Sequence, residues 1–461
     1  MDLTLRNGLI ITATDTFRAD IGIEGDRIVE IAANLPPGRT DFDLGGKWIV
    51  PGFIDVHTHF DAYLAPYAMH SPDDFESGTR QAACGGVTSV VDYAFQSTGD
   101  TLHDAVSQWD DKARERCYID YGFHTVVVDP RADVLAEMAD MVQDGYPSFK
   151  VFMMRGFGDL NDRALYEILK HSKNAGGIVT VHAENGDIVQ ARSEELFKAG
   201  RRAPHEVPYA MPPEAEGEAT QRIITLAGLA DNAPVYIVHL SSISALEAVR
   251  IGRQSGQQVY AETRPTYLLL DDNYYAKPAA EAVRYMASPP FRSRDHVEAL
   301  WNGLRIGDLQ TVASDHTAWN FHGQKELGIN DFTRMPPGIP AVETMGPLLF
   351  TFGVQTGRIT INKWVEVLAT NPAKLFGLHP RKGTIAVGAD ADLVVYDPKR
   401  SVTLSKDVTH SAVDYEPYDG FELTGYPILT FSRGTLVMKN GELMVQPGHG
   451  QLLRRNRFTS L

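Results

Sequence analysis

Trp48-Ile-Val-Pro-Gly-Phe-Ile-Asp-Val-His57-Thr-His59 is the stretch from which the fold can be read. Its apolar residues from Trp48 to Val56 predict a buried strand entered through Pro51-Gly52. His57 and His59 follow at i, i+2, and alternate residues of a strand face the same side. Both imidazoles can then reach one point at the strand's end, and neutral imidazole is the commonest nitrogen ligand of metals. The alternative is two polar residues leaving a strand for a loop. The rest of the chain decides between them.

Downstream, short apolar runs alternate with longer amphipathic segments. After Trp48–Val56 the runs are Val87–Ala94, Ile119–Val128, Ser148–Met153, Ile178–His182, Val235–His239, Gln258–Thr263 and Gln310–Ala313. Helical patterns lie between them, at Ala132–Gln143, Asp162–Asn174, Glu216–Ala230, Ser244–Ser255 and Asp295–Ile306. Eight strands, each followed by a helix or loop, predict an α/β fold, a (β/α)8 TIM-type barrel, over residues 51–383. The Gly- and Pro-rich segment Thr317–Pro340 is expected to cover the barrel mouth.

The two ends have a different texture. Leu3–Ile11, Asp20–Ile23 and Arg27–Ala32, with turns at Asn7-Gly8 and Glu24-Gly25-Asp26, alternate with period two and predict a small antiparallel sheet. The same texture returns in Ala391–Tyr396, Pro427–Ser432 and Thr435–Lys439. Residues 1–50 and 384–445 are therefore expected to fold together as one discontinuous β-sandwich. Residues 446–461 form a tail, basic over Gln451–Phe458, which reads either as a frayed end or as an oligomer contact.

The chain has 461 residues, of which 43% are hydrophobic and 22% charged, values typical of a globular protein. A formal net charge of -16 argues against nucleic-acid binding. Two cysteines, Cys84 and Cys117, make no disulfide framework and suit a reducing cytoplasm. No signal peptide is read at the start, and no apolar run approaches the roughly 20 residues that span a bilayer. A soluble cytoplasmic protein is expected.

Polar residues recur at one kind of position. The first run ends in His57-Thr-His59, the fifth in His182, the sixth in His239 and the eighth in Ser-Asp315. Active sites of such barrels lie at the C-terminal ends of the strands, so these residues are candidate metal ligands. Lys150 belongs with them. It interrupts the apolar strand Ser-Phe-Lys-Val-Phe-Met153, where an ammonium is costly to bury. It is either a lysine with its head in water or a desolvated amine able to take up carbon dioxide as a carbamate. Five N/O ligands are too many for one zinc with an open position and too few for two. A bridging carbamate and a bridging hydroxide would complete a pair roughly 3.5–4 Å apart.

The motifs Pro-Gly-Phe-Ile-Asp-Val-His57-Thr-His59, Ser-Phe-Lys150-Val-Phe-Met, Val-His182-Ala-Glu-Asn-Gly, Tyr-Ile-Val-His239-Leu-Ser and Ser-Asp315-His resemble the amidohydrolase superfamily. More narrowly, the whole chain resembles the dihydropyrimidinase/D-hydantoinase family of cyclic amidases. The resemblance implies a binuclear metal hydrolase that opens a ureide or imide ring, such as a dihydropyrimidine or hydantoin, to an N-carbamoyl amino acid type of product. His57, His59, carboxylated Lys150 and Asp315 would hold one divalent ion, and Lys150, His182 and His239 the second, most often zinc. Asp315 would carry the proton from the attacking water to the leaving nitrogen. A homotetramer is expected by the same resemblance.

Substrate contacts depart from the family pattern. Ser288 matches the serine whose backbone holds the ring amide. Pro337 stands where dihydropyrimidinases usually have Asn before Gly; it keeps the carbonyl acceptor but offers no N–H. Arg155, five residues beyond Lys150, replaces a tyrosine that hydrogen-bonds the oxyanion. It is a cationic oxyanion stabiliser, a bidentate partner for a substrate carboxylate, or a solvated loop residue. Arg264, in Glu-Thr-Arg-Pro-Thr266, departs from the familiar Cys-Pro-Gln pattern. Allantoinase and dihydroorotase are the alternative activities, and a non-catalytic scaffold the alternative role, which the complete ligand set disfavours. His124 and His316 read as supporting or core residues, and Asp92 as a cap or a support for the ligands.

Overall fold

In the computed structural model of the chain, residues 1–64 and 67–461 are described. The run Trp48–Val56 is two strands rather than one. Trp48–Pro51 pairs with Leu393–Thr403 and with Leu3–Ile11, outside the barrel. Phe53–Thr58, numbered here β1, begins the barrel. The break is at Gly52, where an added Cβ would lie 2.1 Å from Thr88 Oγ1. Only a residue without a side chain lets the two strands pass that close to Thr88. Local apolarity could not reveal the break, because both halves are buried.

The other barrel strands are β2 (Val87–Phe95), β3 (Asp120–Val126), β4 (Ser148–Phe152), β5 (Ile178–His182), β6 (Val235–Ile237), β7 (Val259–Thr263) and β8 (Thr311–Val312). Each pairs in parallel with the next in chain order, and a parallel bridge between Thr58 and His316 closes the ring. Strands β1 to β8 are buried almost throughout, which is why they read as apolar runs rather than as alternating ones. The helices between them follow the amphipathic pattern. Asp162–Ala175 buries Leu165, Ile168, Leu169 and Ser172 on one face. Asn161 caps its start through Ala164 N–H, and Gly176, left-handed at φ 82°, ends it.

Both chain ends meet in one nine-stranded sheet. Its pairing is mixed, not purely antiparallel: Leu3–Ile11 runs antiparallel to Thr16–Glu24 but parallel to Thr40–Asp43 and to Trp48–Pro51. After the meander to Ala32 the chain crosses to the far side of Leu3–Ile11, and that crossover produces the parallel pairs. A separate apolar core that includes Leu5, Ile10, Ile21, Ile28, Ile49, Leu393 and Val395 holds this sheet. Sheet and barrel are tied by Lys382, whose ammonium lies 2.8 Å from Asp120 and 3.1 Å from Asp390 and also contacts Asp392. These three buried carboxylates already have their cation.

The basic tail is laid against the barrel, and the frayed end is not found. Leu453 N–H donates to Tyr121 O (2.6 Å), Asn456 N–H to Gly377 O (2.9 Å) and Phe458 N–H to Gly176 O (3.0 Å). Arg455 is buried and donates to Phe123 O and, at 2.8 Å, to Ser148 Oγ. Among the described residues no helix is long and apolar enough to cross a membrane.

Candidate metal centre

β1 delivers the two histidines as its alternation predicts. His57 Nε2 lies 3.0 Å from Asp315 Oδ1, His59 Nε2 lies 3.3 Å from the same oxygen, and the two Nε2 atoms are 3.3 Å apart. The end of β1 is held by carboxylates. Asp92 accepts from Thr58 Oγ1 (2.7 Å) and Phe60 N–H (2.9 Å). Asp55 accepts from His57 N–H and Ser314 N–H, both at 3.1 Å, and so fixes β1 against the segment that carries Asp315.

Glu262 of β7 has no counterpart in the sequence reading. It is fully buried, contacts His57 Nδ1, and accepts from Tyr236 Oη (2.7 Å) and His239 N–H (3.0 Å). A carboxylate on Nδ1 leaves Nε2 of His57 free as a ligand atom. The only signal in the sequence is one acid within the apolar Val-Tyr-Ala-Glu-Thr263. Burial works to lower the basicity of His57, but Glu262 and Asp315 outweigh it and hold its pKa above the ordinary value. Burial pushes His59 down to about 4 and His239 well below its usual range.

His182 and His239 complete the ring of imidazoles, with centroids 4.5 Å apart, and His239 lies 5.4 Å from His57. His182 Nε2 lies 2.9 Å from Glu184 Oε2. Ligand atoms of His57, His239 and Asp315 all fall within 4.8 Å of one another. His239 and Asp315 have φ of 38° and 50°, left-handed values that a side chain rarely adopts. Such strain gathers at functional sites and turns both side chains at the ends of β6 and β8.

Lys150 of β4 is fully buried, and its Nζ has no hydrogen-bond partner among the described residues. It lies 4.7 Å from the centroid of Tyr93 and 4.9 Å from that of Phe152. Burial lowers its pKa to about 7, against the opposing pull of Glu262 and Asp315. An unpaired buried amine and the orphaned Nδ1 of His239 are polar atoms that lack partners, and buried polar atoms without partners are rare. Imidazole nitrogens and a carboxylate are donors that suit a divalent ion such as zinc. The residues present fit a divalent metal.

The remaining expected residues are more scattered. Ser288 Oγ donates to Glu184 Oε2 at 3.0 Å, beside His182. Pro337 O accepts from the Trp319 indole at 2.8 Å. Arg155 is half-exposed and its Nε donates to Asp187 at 2.7 Å, so none of its hydrogen bonds is to the histidine cluster. Arg264, by contrast, is buried against Asp315 Oδ2. His124 Nε2 donates to Val56 O (2.9 Å) and its Nδ1 lies 2.6 Å from Ser148 Oγ, and His316 pairs with Asp73 at 3.1 Å.

A model of the amidohydrolase family matches residues 48–437. The chain is 42% identical to a D-hydantoinase of Geobacillus stearothermophilus, over all of this chain and 98% of that one. It is 39% identical to a D-hydantoinase of Ralstonia pickettii, over 99% of this chain and 100% of that one. The crystal structure of a dihydropyrimidinase from Brevibacillus agri superposes with a TM-score of 0.98 at 41% identity, covering 100% of both chains. The chain belongs to the amidohydrolase family, within the group of its members named D-hydantoinase and dihydropyrimidinase.

Proposed function

We propose that the protein is a binuclear metal-dependent hydrolase that opens the cyclic C–N amide bond of a ureide or imide ring, such as a dihydropyrimidine or hydantoin. The product is of the N-carbamoyl amino acid type. The observation that carries this reading is the approach of His57 and His59 to one oxygen of Asp315, at 3.0 and 3.3 Å, in the same barrel mouth as an unpaired buried lysine. His57, His59, carboxylated Lys150 and Asp315 would hold one ion, and Lys150, His182 and His239 the other, with zinc as the metal. Such a pair would supply water deprotonated near neutral pH and would polarise the ring carbonyl.

The chain's own residues do the rest. Lys150, neutral once its proton is lost, adds its Nζ to carbon dioxide, releases the second proton and becomes a two-oxygen anion. Glu262 keeps His57 in the tautomer that frees Nε2. The carboxylate of Asp315 takes the proton of the attacking water and returns it to the leaving ring nitrogen. Ser288 and the carbonyl of Pro337 hold the ring amide. For Arg155 to meet an oxyanion it must leave Asp187, so its part is read from kcat/KM of Arg155→Tyr and Arg155→Ala. We also place the protein in the cytoplasm as a homotetramer; Cys84 and Cys117 are both free and buried.

The test is a hydrolysis screen of zinc-loaded enzyme on dihydrouracil, hydantoins, allantoin, dihydroorotate and succinimide. Opening of the dihydropyrimidine or hydantoin ring is expected. Activity confined to allantoin would replace this reading by an allantoinase, and less than one metal equivalent per chain after preparation with zinc would sink it.

A further inference from the structure

Arg264 follows β7, in extended backbone ahead of Pro265. It is 1% exposed, among the largest fully buried side chains of the molecule. Its guanidinium is fixed on three sides: Nε donates to Thr266 Oγ1 at 2.9 Å, Nη1 pairs with Asp315 Oδ2, and the Tyr267 ring lies 4.8 Å away. Nη2 has no hydrogen-bond partner among the described residues. A buried amine, that of Lys325, donates to two carbonyls, Met286 O at 3.2 Å and Pro336 O at 3.4 Å.

The place of these groups matters as much as their number. Asp315 presents one oxygen to His57 and His59 and the other to Arg264. Tyr267, under the guanidinium, donates to Pro289 O at 2.6 Å, next to Ser288. The two carbonyls that hold Lys325 belong to Met286, two residues before Ser288, and to Pro336, directly before Pro337. Arg264 therefore sits between the metal ligands and the segments proposed to hold the ring. Its one carboxylate partner, Asp315, is also a proposed metal ligand and would share its charge with the metal. A planar guanidinium fork with a free N–H suits an incoming carboxylate.

We propose that Arg264 Nη2 forms a carboxylate-binding subsite, and that the preferred substrate is a cyclic ureide or imide bearing a carboxylate side chain. The inference rests on the cyclic-amidase reading above. It assigns the substrate cation to Arg264, where the offset from Lys150 points to Arg155.

Hydantoin-5-acetate and hydantoin-5-acetamide have nearly the same shape and differ in charge. Zinc-loaded enzyme is expected to favour the acetate about ten-fold or more in kcat/KM. Arg264→Gln is expected to cut the acetate-to-acetamide ratio about ten-fold, whatever it does to both rates through Asp315, and Arg264→Lys to keep part of the ratio. Calorimetric Kd values for the ring-opened pair, N-carbamoylaspartate and N-carbamoylasparagine, give the same comparison without turnover. Equal handling of the two rings and the two products by the unaltered enzyme overturns the subsite, as does a ratio untouched by Arg264→Gln. If that variant does not fold, Arg264→Lys decides in its place: a ratio reduced several-fold supports the subsite, and an unchanged one overturns it. Failure to open any ring, plain hydantoin included, counts against the amidase reading, while the product-binding ratio still tests the subsite.

Discussion

At the scale of single residues, the centre depends on groups that never touch a substrate. Glu262 is the clearest, because one buried carboxylate contacts His57 and also holds the backbone of His239. Glu262→Gln keeps the shape but weakens the hold on the tautomer, and metal affinity is expected to fall by roughly 10–100-fold in chelator competition. Unchanged affinity would reduce Glu262 to a filler of the barrel. Lys150 gives a pH dependence with a definite sign. Its pKa is lowered from 10.5 to about 7, so the amine is neutral above pH 7 and charged below it. Uptake of zinc by metal-free protein in bicarbonate is therefore expected to rise between pH 6 and pH 8. In the metal-free state the unfolded chain holds the Lys150 proton up to its ordinary pKa while the folded chain has released it. The contribution of Lys150 to stability thus increases with pH between about 7 and 10.5. Lys150→Ala is expected to lose this uptake at every pH, and full metal content in that variant would exclude the carbamate.

At the scale of elements, the candidate ligands that end strands are legible because the barrel puts every strand end at one mouth. His57, His59, His182, His239 and Asp315 each close an apolar run, and that repetition carries more than any one motif. Three features were not legible, for physical reasons. Glu262 lies one turn of the pleat inside β7, where a single acid has no local pattern to mark it. The pairing of Arg264 with Asp315 spans 51 residues and depends on the two strand ends being neighbours. The split at Gly52 separates two strands of equal apolarity, and only the close approach of Thr88 distinguishes them. Gly52→Ala would force its Cβ to within 2.7 Å of Thr88 Cβ, so rotation of the threonine cannot relieve it. A loss of about 1–3 kcal/mol in denaturant unfolding is expected, and an unchanged midpoint would show that the crossing is looser than it looks.

At the scale of the whole molecule, the barrel is bound to its surroundings on two sides. The mixed sheet reaches it through Lys382 and the carboxylates of Asp120, Asp390 and Asp392. The tail reaches it through Arg455, which fills hydrogen bonds at Phe123 O and Ser148 Oγ. Ser148 in turn bonds His124, and His124 bonds the backbone of β1 one residue before His57. Arg455→Ala removes a buried donor from two acceptors and is expected to cost about 2–4 kcal/mol, read as a lower denaturation midpoint. A change within error would show the tail to be ornamental.

The same docking sets a timetable for synthesis. Every residue proposed to hold metal lies between positions 57 and 315. Trp48–Pro51, however, waits for Leu393–Thr403, and the contacts of Tyr121 and Ser148 wait for residues 451–455, which are made long after them. Pairings of such long range form late. The nascent chain thus carries every proposed ligand long before it can close the scaffold that aligns them. On the proposed reading, the site is finished only after residues 451–455 have been made.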